Sequence, residues 1–242
     1  MSKFTWGTIY REIAVKIIED TVDIKNILEN CDKSLTSYLS DKNNSNNWMN
    51  LDLFTFFGSF NRSVRFKNRI KILQHIKDRL ELEFKIPSDF DGIPTMDNRN
   101  SWFQNNEDDK NSLNILFKEA VTWDGESDIN FDSCLEINGV GLGKLTTGLF
   151  WINSDKFMPI AGPVIAYLKR KFPNFEYSDE KGSKAWDKIF NGMKWEQYEM
   201  VLEYLKDNKN NKKSFKELSL ESIESSVENE ILENNNVLQP IQ

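Results

Sequence analysis

The sequence predicts a mainly α-helical, multi-helix protein with a helix-hairpin-helix element, one long ordered loop rich in proline and glycine, and few short strands. Three observations lead to this class. Apolar residues recur at three- and four-residue spacing in several segments. A glycine-rich turn at residues 139–143 separates two apolar runs. Residues 85–103 hold two prolines and a glycine without helical periodicity, as ordered loops do. Any strands are expected within residues 83–105.

Length and composition limit the class of protein. The chain has 242 residues, enough for one large or two small domains with a core. Seven tryptophans and seventeen phenylalanines indicate a folded protein rather than a disordered one. Two cysteines and one histidine argue against a zinc site, and we expect no metal ion and no cofactor. No signal peptide or membrane-length apolar run is seen, so a cytoplasmic protein is expected.

Three parts are expected along the chain. Residues 1–105 form a helical and aromatic subdomain, residues 106–207 a helix-hairpin-helix subdomain, and residues 208–242 a polar linker or frayed tail. A short amphipathic helix over residues 215–232 is the alternative for the last part. The first part opens with a helix from Trp6. An aromatic patch follows, and then a long helix over about residues 67–82. The patch comprises Trp48, Phe54, Phe56, Phe57 and Phe60. After the glycine turn, Pro163 suits the first turn of another helix.

The charge is unevenly distributed. The net charge is −7, which argues weakly against nucleic acid as a partner. Residues 62–79, however, contain seven basic residues and one acidic residue, and residues 137–175 contain five basic residues and one acidic residue. Two basic islands in an acidic chain can form a local phosphate-binding face. They can equally be solvated helix faces.

The glycine turn has three interpretations. A nucleotide P-loop anchored on Gly143 and Lys144 would need a glycine at Asn138 and a hydroxyl at Leu145, so it does not fit. A helix-hairpin-helix needs an apolar residue, any residue, glycine, an apolar residue and glycine, and residues 137–141 match that order. Such hairpins hold the DNA backbone through loop amides. The third interpretation is a turn that only lets two helices pack closely.

The candidate contacts follow from the hairpin interpretation. Glycines at 139, 141 and 143 leave the backbone bare, and the amides at the start of the next helix can hold a phosphate. A second electrostatic contact is assigned to the first basic island, and two aromatic residues can stack an extruded base. The assigned residues are Gly139, Gly141, Leu142, Gly143 and Lys144, then Arg62, Arg65 and Arg69, and for stacking Trp102 and Phe103. Plain packing is the alternative for the aromatic pair.

Three segments follow one another along the chain: the aromatic patch at 53–62, the loop at 89–94 with residues 101–103, and the stretch 139–153. Together they resemble the region ahead of the motor in McrB-like AAA+ proteins of modification-dependent restriction systems, over most of residues 1–175. The resemblance implies DNA recognition, a GTP-driven ring and a partner nuclease, McrC. No Walker motif follows residue 175, so we expect a stand-alone relative or a truncated recognition domain.

A second resemblance is local. Residues 139–168 are similar to the helix-hairpin-helix of base-excision DNA glycosylases, in which a Pro-apolar-Asp element follows the hairpin. Here Pro159 and Ile160 are followed by Ala161, so the resemblance implies that the catalytic aspartate is missing. The lysine of lyase-type members would fall near Gly143, one residue before Lys144. The resemblance therefore points to a scaffold that binds DNA without base excision.

The sequence leads to a DNA-binding recognition module of a McrB-like anti-phage defence system, without catalysis of its own. Its expected partners are double-stranded DNA, modified or plain, with an AAA+ motor and a McrC-like nuclease. Two alternatives stay open. The first is a divergent glycosylase or nuclease, which would need a carboxylate near the hairpin. The second is a protein-interaction module that uses the aromatic patch as its interface.

Overall fold

Ten helices and one small pair of strands make up the described part of the chain. The structure is a computed structural model, and it describes residues 3–28, 31, 51–62, 64–96, 103–173, 175–179, 182–185, 192–208 and 211–237. The helices are α1 (Thr5–Glu19), α2 (Ile24–Leu28), α3 (Leu53–Asn61), α4 (Phe66–Arg79), α5 (Glu107–Thr122), α6 (Phe131–Leu135), α7 (Gly141–Ile152), α8 (Gly162–Lys171), α9 (Trp195–Asp207) and α10 (Phe215–Val237). The mainly α-helical class is confirmed.

The strands lie elsewhere than expected. β1 (Glu176–Asp179) and β2 (Gly182–Ala185) pair antiparallel between α8 and α9. Residues 83–96 contain no strand, and they contribute only a single parallel bridge between Met96 and Arg62. The expected location at 83–105 is therefore wrong for the described residues. The two prolines of that loop explain the difference, because proline cannot donate to a strand ladder.

Helix α7 occupies the centre of the core. All eight residues from Leu145 to Ile152 are buried, and α7 contacts α1, α3, α5 and α6. A helix that is apolar around its whole circumference is stable only when other elements surround it. Gly148 allows the close approach of α3, because a Cβ atom there would lie 2.7 Å from Cδ1 of Phe54. Phe54 in turn packs against the rings of Phe103 and Phe117.

Packing crosses the expected boundary between residues 105 and 106. Helix α1 packs on α7, and α3 packs on both α5 and α7. The Nε1 of Trp151 also donates to the carbonyl of Pro94 at 2.9 Å. The buried side chains of both parts belong to one hydrophobic cluster. The boundary thus runs through packed helices in the described residues.

The chain end differs from the expected linker or frayed tail. Helix α10 packs along α8, with Phe215 and Leu218 buried. Ser219 donates from Oγ to the carbonyl of Gly92 at 2.8 Å, across 127 residues of chain. Gly92 has φ +73°, and a Cβ atom there would lie 2.8 Å from the carbonyl oxygen of Lys216. The first part of α10 is therefore a docked element of the fold.

None of the helices in the described ranges combines the length and the apolar character that a membrane crossing requires.

The tight packing at Gly148 yields a stability prediction. Replacing Gly148 with alanine should destabilise the protein by up to about 2 kcal/mol, because overpacking costs roughly 1–3 kcal/mol and better helix propensity returns only about 1 kcal/mol. Lys118→Ala on α5 is the control, because it changes an exposed helical position and should stay within about 0.5 kcal/mol of wild type. Urea unfolding of both variants measures the difference. Equal stability of the two variants would contradict the close approach of α3 and α7.

Candidate functional site

The turn between α6 and α7 has the geometry that its glycines predict. The amide of Ile137 donates to Cys134 at 3.3 Å, and that of Val140 donates to Ile137 at 3.0 Å. Gly139 and Gly141 have φ values of +80° and +57°, where an L side chain is strained. Both glycines are exposed, and an added Cβ atom at either position would meet no atom of the described residues within 4 Å. The turn therefore presents bare backbone to solvent.

The third glycine has a different role. Gly143 has no positive φ, and its Cβ atom would lie 3.3 Å from the carbonyl oxygen of Ile160. It thus lets the segment that leads into α8 pass close to α7. The amide of Ile160 donates to Thr146 Oγ1 at 2.8 Å and fixes that approach. As a result, the N-terminal ends of α7 and α8 lie side by side.

A cleft of about 560 Å³ opens where these two helix ends meet. One wall is formed by the turn and α7, another by the start of α8, and the others by the loop at 93–96 and by α10. Neither helix has a side-chain cap at its N-cap residue, Val140 in α7 and Ala161 in α8. The cleft is lined by Ile93, Pro94, Thr95, Met96, Gly139, Val140, Gly143, Lys144, Thr147, Ala161, Pro163, Val164, Ser219 and Ile223. No carboxylate is among these side chains.

Lys144 lies on the cleft wall but folds back onto the turn. Its Nζ donates to the carbonyl of Gly139 at 3.1 Å and lies 5.1 Å from the centroid of the Phe103 ring. Burial lowers the pKa of Lys144, and the carboxylate of Asp52 partly opposes that shift. The ammonium group therefore braces the turn, and the interpretation of Lys144 as an outward-facing phosphate contact loses support.

Asp52 is a buried carboxylate behind the lysine. It caps α3 by accepting from the amide of Thr55 at 2.9 Å, and it also accepts from the hydroxyl of Thr55. Burial raises the pKa of Asp52, while the bonds from Thr55 and the charge of Lys144 act in the opposite direction. Thr55 Oγ1 accepts in turn from the amide of Phe103 at 2.9 Å. This network holds the α3 end, Phe103 and Lys144 in one arrangement.

The other flank of the turn is acidic. Asn105 donates from Nδ2 to the carbonyl of Asn138 at 2.9 Å, and Asp109 accepts from the same amide group. Asp108, Asp109 and Glu136 line a shallow depression on that side. A phosphate would be repelled there. Of these two flanks, the side of Gly139, Gly141 and the cleft is therefore the one that an anion can approach.

The first basic island is divided between surface and core. Arg65 is exposed, and Arg62 is half-buried beside Met96, which lines the cleft. Arg69 is only 6% exposed. Its Nε donates to the carbonyl of Phe60 at 2.8 Å, and its guanidinium lies 4.8 Å from the centroid of the Phe90 ring. The assignment of Arg69 to a DNA contact is therefore corrected to a packing role.

Of the two aromatic residues assigned either to base stacking or to packing, the structure describes one. Phe103 is 1% exposed and stacks on Phe54 at 5.5 Å between ring centroids, so it cannot receive a base. Trp102 lies outside the described residues. The packing alternative holds for Phe103, since its ring fills the space between α3 and α7 that Gly148 leaves open.

Three of the five cations of the second basic island lie away from the turn, whereas Lys144 belongs to the turn itself. Lys169, Arg170 and Lys171 occupy the last turn of α8, whereas the cleft meets α8 at its first turn. At 1.5 Å per residue, about 10 Å separates the two ends. Basic residues in the last turn of a helix stabilise the helix, because they interact favourably with the negative end of its dipole. These three cations therefore fit the solvated-face interpretation better than a contact next to the turn.

Comparison with known proteins identifies the family of the chain and nothing more specific. The family model described as a domain of unknown function, DUF8425, matches residues 6–225. The chain belongs to the DUF8425 family. Neither a curated protein nor a solved structure matches it.

Sequence reasoning missed one wall of the cleft in this DUF8425 protein. Ser219 and Ile223 of α10 line it, whereas a linker or frayed tail was favoured there over a short amphipathic helix. The signal was present in the apolar residues Phe215, Leu218 and Ile223, which return at roughly helical spacing. The partner of α10 lies far away along the chain, so the sequence alone does not reveal it.

The contacts of Lys144 predict a structural cost on its removal. Lys144→Ala should lower the free energy of unfolding by roughly 1–2 kcal/mol, because a charged hydrogen bond and a cation–π contact are lost. Lys118→Ala on α5 makes the same change at an exposed lysine and should stay within about 0.5 kcal/mol of wild type. Chemical denaturation compares the two variants. If both behave alike, Lys144 does not brace the turn.

Proposed function

We propose that this DUF8425 protein is a DNA-recognition module that holds the backbone of double-stranded DNA at the α6–α7 turn. The observation that carries the proposal is the exposed, positive-φ backbone at Gly139 and Gly141, with open space where side chains would stand. A phosphate can approach such a backbone more closely than it can approach a turn whose residues carry side chains. Contacts of this kind position a protein on DNA without reading its sequence.

The start of α7 supports an anion at this place. No side chain caps the helix, so the donors of its first turn remain open to a ligand. The helix dipole also favours negative charge there. We therefore assign the backbone contacts to the amides of Gly141, Leu142 and Gly143. Lys144 contributes by holding the turn, through its bond to Gly139.

The cleft next to the turn is the proposed site for an extruded base. Its volume of about 560 Å³ lies within the roughly 300–1,000 Å³ of small-ligand sites. Its wall is mostly apolar, with the polar side chains of Thr147, Ser219 and Lys144 among the lining residues. Enzymes and readers that act on one base take it out of the stack into such a pocket. The cleft replaces Phe103 as the place where a modified base is read.

The biological setting of the proposal rests on the sequence resemblance. Segments over most of residues 1–175 resemble the recognition region of McrB-like restriction proteins. We therefore propose a role in anti-phage defence in the cytoplasm, with an AAA+ motor and a McrC-like nuclease as partners. The module itself recognises DNA and leaves cleavage to the partner, since Ala161 stands where the resembling glycosylases have their carboxylate.

Two glycines with equal backbone strain test the turn. Gly139 and Gly192 have φ values of +80° and +84°, and within the part of the chain that the structure describes an added Cβ atom would meet nothing within 4 Å at either position. Alanine at either position should cost about 1–2 kcal/mol of stability. Only Gly139→Ala should weaken duplex binding, by about tenfold or more, because a side chain on the turn would hold the phosphate away from the amides of residues 141–143 and charged hydrogen bonds are each worth roughly 1.5–3 kcal/mol. Fluorescence anisotropy with a labelled duplex at several salt concentrations measures this.

Two outcomes of that comparison count against the turn. If the wild-type protein binds no duplex at low salt, the proposed function is wrong. If Gly139→Ala and Gly192→Ala bind alike, the turn serves packing alone. Thermal unfolding of both variants is the necessary control, because a partly unfolded protein would also lose binding.

The cleft has its own test. Ile223→Trp should fill it and abolish any preference for methylated over plain duplex, while binding to plain duplex persists through the backbone contacts. Val227→Trp is the matched control, because Val227 lies one turn further along α10, is 51% exposed and is not among the cleft residues. Competition binding with methylated and plain duplexes gives the ratio. A preference that survives Ile223→Trp would show that the cleft does not read the base.

A further inference from the structure

The start of α4 carries an exposed aromatic ring among cations. Phe66 is 52% exposed, the helix begins at it, and the adjacent Arg65 and Lys67 are both exposed. Lys71 is also exposed and lies one turn beyond Lys67 on the same side. Among the ion pairs of the described residues, none involves these three cations. The surface therefore offers uncompensated positive charge on both sides of a phenylalanine.

The ring is held by the residues beneath it. Phe66 meets Phe90 edge to face, with ring centroids 5.6 Å apart. The guanidinium of Arg69 supports Phe90 from below at 4.8 Å, and its bond to Phe60 ties α4 to α3. An exposed aromatic ring that is braced in this way loses little side-chain entropy when a ligand stacks on it. The buried Arg69 thus helps to fix the position of the Phe66 ring through Phe90, without contacting the ligand.

The charged residues around Phe66 are unevenly distributed. The first acidic residue of α4 is Asp78, which lies 12 residues after Phe66 and about 18 Å further along the helix axis. On the loop side, Asp89 and Asp91 flank Phe90 in the chain. Phosphates would avoid those carboxylates and follow α4 from Arg65 towards Lys71. A polyanion can therefore lie along the stretch of α4 between Arg65 and Lys71.

This combination fits an unpaired nucleic-acid strand. Such strands bind where cations track the backbone and aromatic rings stack the bases. A protein partner would need a larger continuous apolar area than one ring provides. The other large apolar side chains that are exposed in the described residues lie on α5 and α10, and α4 offers Phe66 alone.

We propose that the α4 surface binds an unpaired segment of a DNA strand, with one base stacked on Phe66 and the flanking phosphates on Arg65 and Lys67. The choice of DNA over RNA rests on the proposed function, whereas the stacking and the charge contacts do not. This surface is distinct from the α6–α7 turn, since it uses side chains where the turn uses bare backbone. The protein would thus hold duplex at one place and an opened strand at another.

Binding of labelled oligo(dT) by the full chain tests the surface. Phe66→Ala should weaken binding by about 5- to 150-fold, which is the range for the loss of one stacked base. Phe66→Trp should keep or improve the affinity, because the ring is retained. Lys67→Ala should lower the salt slope by roughly 0.7 of a unit, as one fewer phosphate is neutralised on a single strand.

Matched controls come from α5. Ile115 is 50% exposed and Lys118 is exposed, so Ile115→Ala and Lys118→Ala make the same kinds of change elsewhere on the surface. Both should bind oligo(dT) like wild type. Duplex binding separates this proposal from the hairpin, because Phe66→Ala should leave it nearly unchanged and Gly139→Ala should reduce it. Thermal unfolding must show that every variant is folded.

Four results would overturn the proposal. The first is wild-type protein that fails to bind oligo(dT) at low salt, and the second is Phe66→Ala that binds like wild type or like Ile115→Ala. The third is tighter binding of oligo(rU) than of oligo(dT), which would contradict the choice of DNA. The fourth is an oligoglutamate peptide that loses affinity with Phe66→Ala by the same factor, since that would indicate an acidic protein partner instead of a base.

Discussion

The burial of α7 is the constraint on which the rest of the structure depends. Eight successive residues from Leu145 to Ile152 are enclosed by four other helices, so α7 can neither rotate nor slide without exposing apolar surface. Each large apolar side chain contributes roughly 1.5–3 kcal/mol when buried. The turn at Gly139 and Gly141 is joined directly to this helix. Its bare backbone is therefore held still, which lowers the entropy cost of binding a ligand there.

Hydrogen bonds from α7 also position the neighbouring helix end. Thr146 accepts from the amide of Ile160, and its hydroxyl donates to the carbonyl of Leu142 at 2.8 Å. A buried threonine thus satisfies its own hydroxyl within the helix and fixes the chain that leads to Ala161. Because Gly143 has no side chain, that chain passes close enough for this bond. The cleft is a consequence of these two residues, together with α10 as its outer wall.

The sequence predicted the features that depend on local geometry. Gly139 and Gly141 could be assigned positive φ because few other residues tolerate it, and the apolar run after them predicted a buried helix. Arg69 was placed wrongly because charge suggested a surface position. Its spacing to Ile72, Leu73 and Ile76, which are buried, places it on the inner side of α4. The acceptor and the ring that make this possible, Phe60 and Phe90, become its neighbours only in the folded chain.

Long-range partners explain the remaining differences. The docking of α10 depends on the bare backbone of Gly92, which accepts from Ser219 and leaves room for the carbonyl of Lys216. No pattern near residue 219 indicates that partner. For Phe103 the sequence left a stacking surface and plain packing open, and the ring is buried because Gly148 leaves space for it. In both cases a glycine far along the chain decides the environment of the residue in question.

The net charge of −7 sets how the two proposed surfaces can act. At physiological salt, screening limits charge interactions to about 8 Å, so the distant acidic residues repel a polyanion only weakly once it is in contact. They still weaken electrostatic steering of DNA towards the protein. Affinity must then come from short-range contacts, which are backbone amides at the turn and a ring with flanking cations on α4. An acidic protein of this design would favour DNA that fits both surfaces over DNA in general, since non-specific attraction contributes little.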